Sequence, residues 1–183
     1  MKRIKLTQDQ FAQVDESDYV ELVKQNWFAV KTELGDYYAT GWTPMVKGKR
    51  TSLLMHRVVM RAKKGQLIDH KDGNPLNNQK HNLRFCTASQ NGQNQRISKH
   101  QSKLSKYKGV TWHRRAKKWQ AVIRGKNKQN YYLGSFTKEK DAAKAYDSKA
   151  SELHGEFARL NFSGIEPEEN PRNRIYDTDK EGK

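Results

Sequence analysis

Residues 68–91 read IDHKDGNPLNNQKHNLRFCTASQN, an Asp-His pair ahead of a Gly-Asn-Pro turn and a run crowded with asparagine. Asparagine packs poorly in cores and has low helix and strand propensity. Such a run is either a plain loop or a scaffold that holds polar groups at set places. The flanking residues favour the scaffold. "QLID" is expected as a short strand ending in Asp69 and His70, and "LRFC" as a second strand beyond the loop. Thr87-Ala88-Ser89-Gln90 matches a capping box, which starts a helix at Thr87. Strand, loop, strand and helix thus follow one another within residues 66–95. Asn91 falls in the first turn of that helix, where side chains tilt back toward the N-terminus and here toward the end of the first strand.

Hydrolysis of a phosphodiester needs a base to deprotonate water and a cation to stabilise charge on phosphate and leaving oxygen. Histidine suits the base, with an unperturbed pKa of about 6.5. A carboxylate and an amide oxygen are hard ligands that suit Mg²⁺, which keeps most of its waters. Asp69, His70 and Asn91 meet these needs with few parts, and Asn82, ahead of "LRF", is placed to bridge the loop and orient the histidine ring. Adjacent strand residues point to opposite faces. Asp69 and His70 therefore serve one metal site only where the strand ends or bulges. His56 in "MHR" is expected to pack or support, and His81 and His100 to lie at the surface.

The bulk numbers agree with a small polar chain. Of 183 residues only 34% are apolar, and the mean hydropathy is −1.10, so two small domains fit better than one large core. No run approaches the roughly 18 apolar residues of a membrane span, and "MKRIKLTQDQF" lacks the apolar core of a signal peptide, so residence in the cytosol without a membrane partner is expected. A single cysteine, Cys86, excludes an internal disulfide and a multi-cysteine zinc site, and reads as a buried small residue. The net charge of +16 is unevenly spread: +9 over residues 1–104, +9 over 105–162 and −2 over 163–183. A basic body with an acidic tail points to a polyanion, of which nucleic acid is the commonest.

Around the central stretch, residues 1–50 read as a β-rich extension. It begins with a strand "RIKL" and a short helix "DESDYVELVKQN" capped by Asp or Ser. "NWFAVKTE" and "YYATGWT" then form a hairpin. Lys47, Lys49 and Arg50 make this extension a brace with some DNA contact. "TSLLMHRVVMRAKKG" suggests a helix closed by Gly65, and residues 97–104 a linker. Beyond it come three short strands, "KGVTWHRR", "KWQAVIRG" and "NYYLGSF", then a helix with Thr137 as N-cap, Ala142, Tyr146, Ala150 and Leu153 on one face, and Gly155 as C-cap. Residues 163–183 read as a flexible tail.

The residues "MHRVVM…IDHKDGNPLNNQKHNLRFCTASQN" resemble the HNH endonucleases, ββα-metal enzymes common in phages and mobile elements. The resemblance covers roughly residues 52–96, within a nuclease module placed at residues 51–96. It implies His70 as general base, Asp69 and Asn91 as ligands of Mg²⁺ or Mn²⁺, and Asn82 as the residue that orients the base. An amide in the last position disfavours zinc.

Residues 105–162 resemble the AP2 DNA-binding domain, through "YKGV", "LGSF", "AAKAYD" and "LNF" in order. In "KWQAVIRG", Trp119, Ala121 and Ile123 alternate with Gln120, Val122 and Arg124, so the first set packs on the helix and the second faces outward. The major groove, about 12 Å wide, admits strands. The resemblance implies double-stranded DNA contacts from Lys108, Thr111, His113, Arg114 and Arg115 on the first strand and turn, and from Gln120, Arg124 and Tyr132 on the next two.

The expected whole is an α+β chain: a ββα-metal nuclease module with its N-terminal extension, linked to a three-stranded antiparallel sheet plus one helix. Its expected role is a sequence-directed, metal-dependent endonuclease in a bacterial host cell, phage-encoded and of homing type. One catalytic module per chain makes a nick the product of a monomer; no dimer interface is apparent in the sequence. The rival readings are a DNA-binding regulator with a non-catalytic HNH module, and a structure-selective or packaging nuclease.

Overall fold

The computed structural model describes residues 1–33, 35–97, 104–125 and 129–162. The tail 163–183, His100, most of the linker and most of the turn after "IRG" lie outside the described residues.

The chain opens with an antiparallel pair, β1 (Lys2–Lys5) and β2 (Phe11–Val14), followed by α1 (Glu16–Leu22). Asp15 occupies the N-cap position of α1, yet its side chain does not cap the helix. Its carboxylate accepts instead from Gln79 Nε2 at 3.0 Å and Lys80 N at 2.8 Å. The expected hairpin forms as β3 (Phe28–Lys31) and β4 (Tyr37–Trp42), and β5 (Ser52–Leu54) adds to its open edge. A helix was expected over these last residues. They are drawn into the sheet by Thr40↔Leu54, Gly41↔Leu53 and Trp42↔Ser52 pairing, and only α2 (Met55–Val59) remains helical. It ends before Arg61, which is left-handed (φ 48°), well short of Gly65.

Between β4 and β5 the chain reverses on Lys47 and Gly48, with φ 48° and 72°. Val46 N–H and Lys49 N–H each donate to the other's carbonyl at 3.0 Å. Two positive φ angles at the centre make a type I′ hairpin tip, and Met45 and Val46 are exposed beside it.

The hairpin β6 (Leu67–His70) and β7 (Leu83–Cys86) then leads into α3 (Ala88–Asn94). The capping box is present in full: Gln90 N–H donates to Thr87 Oγ1 and Thr87 N–H to Gln90 Oε1. Cys86 is half-buried rather than buried. One apolar core joins Ile4, Val14, Leu22, Trp27 and Ala39 to Met55, Val59 and Leu83. The N-terminal strands and the ββα hairpin therefore share a single interior.

The C-terminal module is a three-stranded antiparallel sheet, β8 (Val110–His113), β9 (Lys118–Arg124) and β10 (Asn130–Phe136), in the order β10-β9-β8, backed by α4 (Glu139–His154) and a 3₁₀ turn at Gly155–Phe157. Val110, Ala121 and Ile123 are buried against Ala142, Ala143, Tyr146 and Ala150. Gly109 (φ 74°) admits the Tyr146 ring, which would stand 2.0 Å from a Cβ there. The N-cap of α4 is Lys138, with no side-chain cap, so Thr137 lies one residue early; Gly155 is the C-cap. No helix among the described residues is long and apolar enough to cross a membrane.

Candidate active site and nucleic-acid interface

Asp69 and His70 close β6 and are both buried. As strand alternation requires, their side chains diverge. Asp69 reaches toward β7 and α3. Arg84, its cross-strand partner in the register, donates through Nε and Nη2 to Asp69 Oδ2 at 2.9 and 2.7 Å. Asn94 Nδ2 donates to both carboxylate oxygens at 2.9 and 3.0 Å and to His70 O at 2.8 Å. Arg84 and Asn94 were missed in the sequence. Register pairing pointed to the first, and a position one turn beyond Asn91 on the same helix to the second. Removing one partner of a buried ion pair such as Asp69–Arg84 costs about 3–5 kcal/mol.

Asn91 sits half-buried in the first turn of α3, its backbone N–H donating to Thr87 O at 2.9 Å. Among the described residues its side chain makes no hydrogen bond. Asp69 and Asn91 thus offer a carboxylate and an amide oxygen, a hard donor set that suits Mg²⁺ or Mn²⁺. No group of three or more His, Cys, Asp or Glu side chains converges among the described residues. An ion held here would take its remaining ligands from water and phosphate.

His70 turns the other way. Its ring meets His56 edge-on at 5.1 Å and Tyr38 at 6.2 Å, and Tyr38 meets His56 at 5.7 Å. Burial lowers the pKa of His70 from its usual value, against the pull of Asp72, Asn78 and Asp69. Burial, then the neighbouring His70 and Arg57, lower that of His56 to about 3. Both rings are neutral at pH 7. Asn78 stands close enough to favour a protonated His70, yet neither Asn78 Oδ1 nor His70 Nε2 completes a hydrogen bond among the described residues.

The asparagine-rich loop is a scaffold. Asn82, expected to orient the His70 ring, clamps the turn after it instead. Its Nδ2 donates to Asp72 Oδ1 at 3.0 Å and Asn77 O at 2.8 Å, and its Oδ1 accepts from Asp72 N. Gly73 (φ 72°) closes that turn, its N–H donating to His70 O at 2.9 Å. On the other side β2 holds the loop: Gln13 N–H donates to Leu76 O and Asn78 N–H to Gln13 O, both at 2.8 Å.

The C-terminal module reaches this turn. Arg159 Nη1 donates to Asp72 O at 2.9 Å, while Arg96 Nη2 donates to Gly73 O at 3.0 Å. A Cβ on Gly73 would lie 2.7 Å from Arg159 Nη1. Arg84 stacks on the Phe157 ring at 3.8 Å and donates to Glu156 O at 2.5 Å. Lys108, expected on DNA, places its ammonium on two carbonyls at the C-terminal end of α3, Gln93 O at 2.5 Å and Gln95 O at 2.7 Å. Burial, with Arg159 near, lowers its pKa to about 8.

The remaining expected DNA contacts share the sheet face away from α4. Thr111 pairs with Gln120 and Tyr132 with Val122, on strands whose Val110, Ala121 and Ile123 face the core. His113 and Arg124 follow the same alternation. His113 Nδ1 accepts from Ala116 N at 3.0 Å and so shapes the turn that carries Arg114 and Arg115, both exposed. Among the described residues, Arg114, Arg115 and Arg124 form no ion pair.

Comparison with known proteins matches these two halves separately. A family model described as HNH endonuclease matches residues 53–93. Protein 3.8 of Escherichia phage T7 is 36% identical over 97 residues, 53% of this chain and 77% of that protein. Over a C-terminal stretch the chain is similar to plant proteins. The AP2-like ethylene-responsive transcription factor TOE2 of Arabidopsis thaliana is 44% identical over 61 residues, 33% of this chain and 12% of that protein. The APETALA2-like protein 2 of Oryza sativa is 42% identical over 62 residues, 34% of this chain and 14% of that protein. The chain spans only a small part of the length of these plant proteins.

Proposed function

The chain belongs to the HNH endonuclease family, and from that premise we propose that it is a sequence-directed DNA endonuclease whose single catalytic centre nicks one strand per visit. The observation that carries the reading is His70, a buried neutral imidazole at the end of β6, one residue from the carboxylate of Asp69 and braced by α2, β4 and the asparagine loop. The outward face of the β8–β10 sheet supplies the duplex contacts, with arginines and Gln120 suited to base edges and the exposed lysines of the module, Lys108 aside, to phosphates.

In the proposed reaction His70 takes a proton from a water molecule. The water oxygen bonds to phosphorus as the bond to the 3′ oxygen breaks. A neutral ring is required for this, and burial keeps it neutral. Asp69 and Asn91 would hold a divalent ion, which when bound supplies positive charge to the phosphate and the leaving oxygen. Arg84 and Asn94 fix the carboxylate, and Asn82 fixes the turn behind the base. Lys47, Lys49 and Arg50 around the hairpin tip add duplex contact.

The test is conversion of supercoiled plasmid carrying the gene's own flanking DNA, in Mg²⁺, in EDTA, and with His70→Ala. Nicking should vanish with EDTA and fall by about 10²–10⁴-fold in the variant. Tight binding without cleavage in either Mg²⁺ or Mn²⁺ would reassign the chain as a DNA-binding regulator.

A further inference from the structure

We propose that the recognition module is docked as a fixed part of the nuclease, with Arg159 the positioning residue of the turn that follows His70, so that the strand is cut at one set distance from the recognised bases. The reaction invoked is the one proposed above; the docking rests on the junction itself.

Strand β7, helix α3 and the turn after His70 are each held by a cation paired across the junction. On β7, Arg84 spends one side of its guanidinium on Asp69 and the other on Glu156 O and the Phe157 ring. At the end of α3, the Gln93 and Gln95 carbonyls hold Lys108, where the negative end of a helix favours a cation. In the turn, Asp72 O accepts from Arg159. A tether alone would leave these cations in water. Each is instead largely withdrawn from it, which is tolerated only because each meets acceptors.

Arg159 has the most direct line to the chemistry. It holds the carbonyl of Asp72, whose carboxylate is clamped by Asn82 and whose next neighbour, Gly73, donates back to His70 O. The bare Cα of Gly73 is what lets the guanidinium in. Meanwhile the outward sheet face keeps clear of the junction: among the described residues Thr111, Gln120, Arg124 and Tyr132 make no side-chain hydrogen bond to the nuclease module. DNA on that face and His70 are therefore held in one frame.

Two variants of the full chain test this on the same plasmid. A short Gly-Ser insertion between Lys99 and His100 leaves every junction side chain in place, and should leave the cut phosphates unchanged when ends are mapped at nucleotide resolution. Arg159→Gln should cut roughly tenfold or more slowly, from loss of a charged hydrogen bond, with plasmid affinity unchanged. Arg159→Lys should recover part of the rate. Cuts that shift or spread with the insertion, or a full rate in Arg159→Gln, would overturn the proposal. Amide exchange decides it without cleavage: the Gly73 amide should exchange roughly tenfold faster in Arg159→Gln, and unchanged protection there would equally overturn it. Failure of the unmodified protein to cut any plasmid would sink the nuclease reading, and the exchange result would still judge the dock.

Discussion

Two asparagines three positions apart on α3 carry different loads. Asn94 is buried and donates to both oxygens of Asp69 and to His70 O, whereas Asn91 leaves its amide uncommitted. Asn94→Ala should lower stability by about 1–3 kcal/mol, because it strands buried acceptors, and the loss should appear in thermal melts run in EDTA. Asn91→Ala should leave those melts unchanged and raise the Mg²⁺ concentration needed for half-maximal nicking. Equal melting losses in both variants would contradict this division. At this scale the sequence was legible where local chemistry fixes a role: the Thr87–Gln90 box formed as read. Asn94 escaped notice because its partners are 24 and 25 positions away, and Asn82, expected to orient the ring, spends its side chain on Asp72 and Asn77.

Short elements depend on their neighbours. Strands β3 and β4 follow aromatic and β-branched patterning, and β6 and β7 flank the asparagine-rich loop, so all four could be read directly. β2 has only four residues and exposes Phe11; it forms because β1 and the asparagine loop pair with its two sides. β5 carries leucines at helical offsets, but the open edge of β4 claims them. α2 then places His56 against His70, with consequences for acid stability. A folded-state pKa of about 3, against about 6.5 unfolded, means that the unfolded chain takes up a proton that the folded chain refuses. Stability is full above the unfolded pKa and is lost as pH falls through that window, with a slope of about one proton from His56. His56→Phe should remove that share of the slope while keeping a ring beside His70. Urea melts at neutral and mildly acidic pH, compared between the two proteins, check it; parallel losses would contradict the sign or the size.

For the molecule as a whole, net charge pointed to a polyanion and the resemblance to AP2 domains implied a sheet that meets DNA, and the three strands and helix lie where the pattern put them. Arg124→Ala should reduce the slope of log affinity against log salt by about one if its contact is to phosphate. If it reads a base edge, the slope should hold and discrimination between sequences should relax. Filter binding across a salt series distinguishes the two. The junction was not legible: Arg84 and Glu156 are 72 positions apart, and neither composition nor periodicity reports a contact of that kind. That contact bears on inheritance and engineering. Exchanging one recognition domain for another would be simple for two beads on a string. Here a donor domain would need counterparts of Lys108, Phe157 and Arg159, set to meet Gly73, Arg84 and the end of α3. Recombinants that change target while keeping activity should therefore vary the outward sheet residues and inherit the docking ones intact.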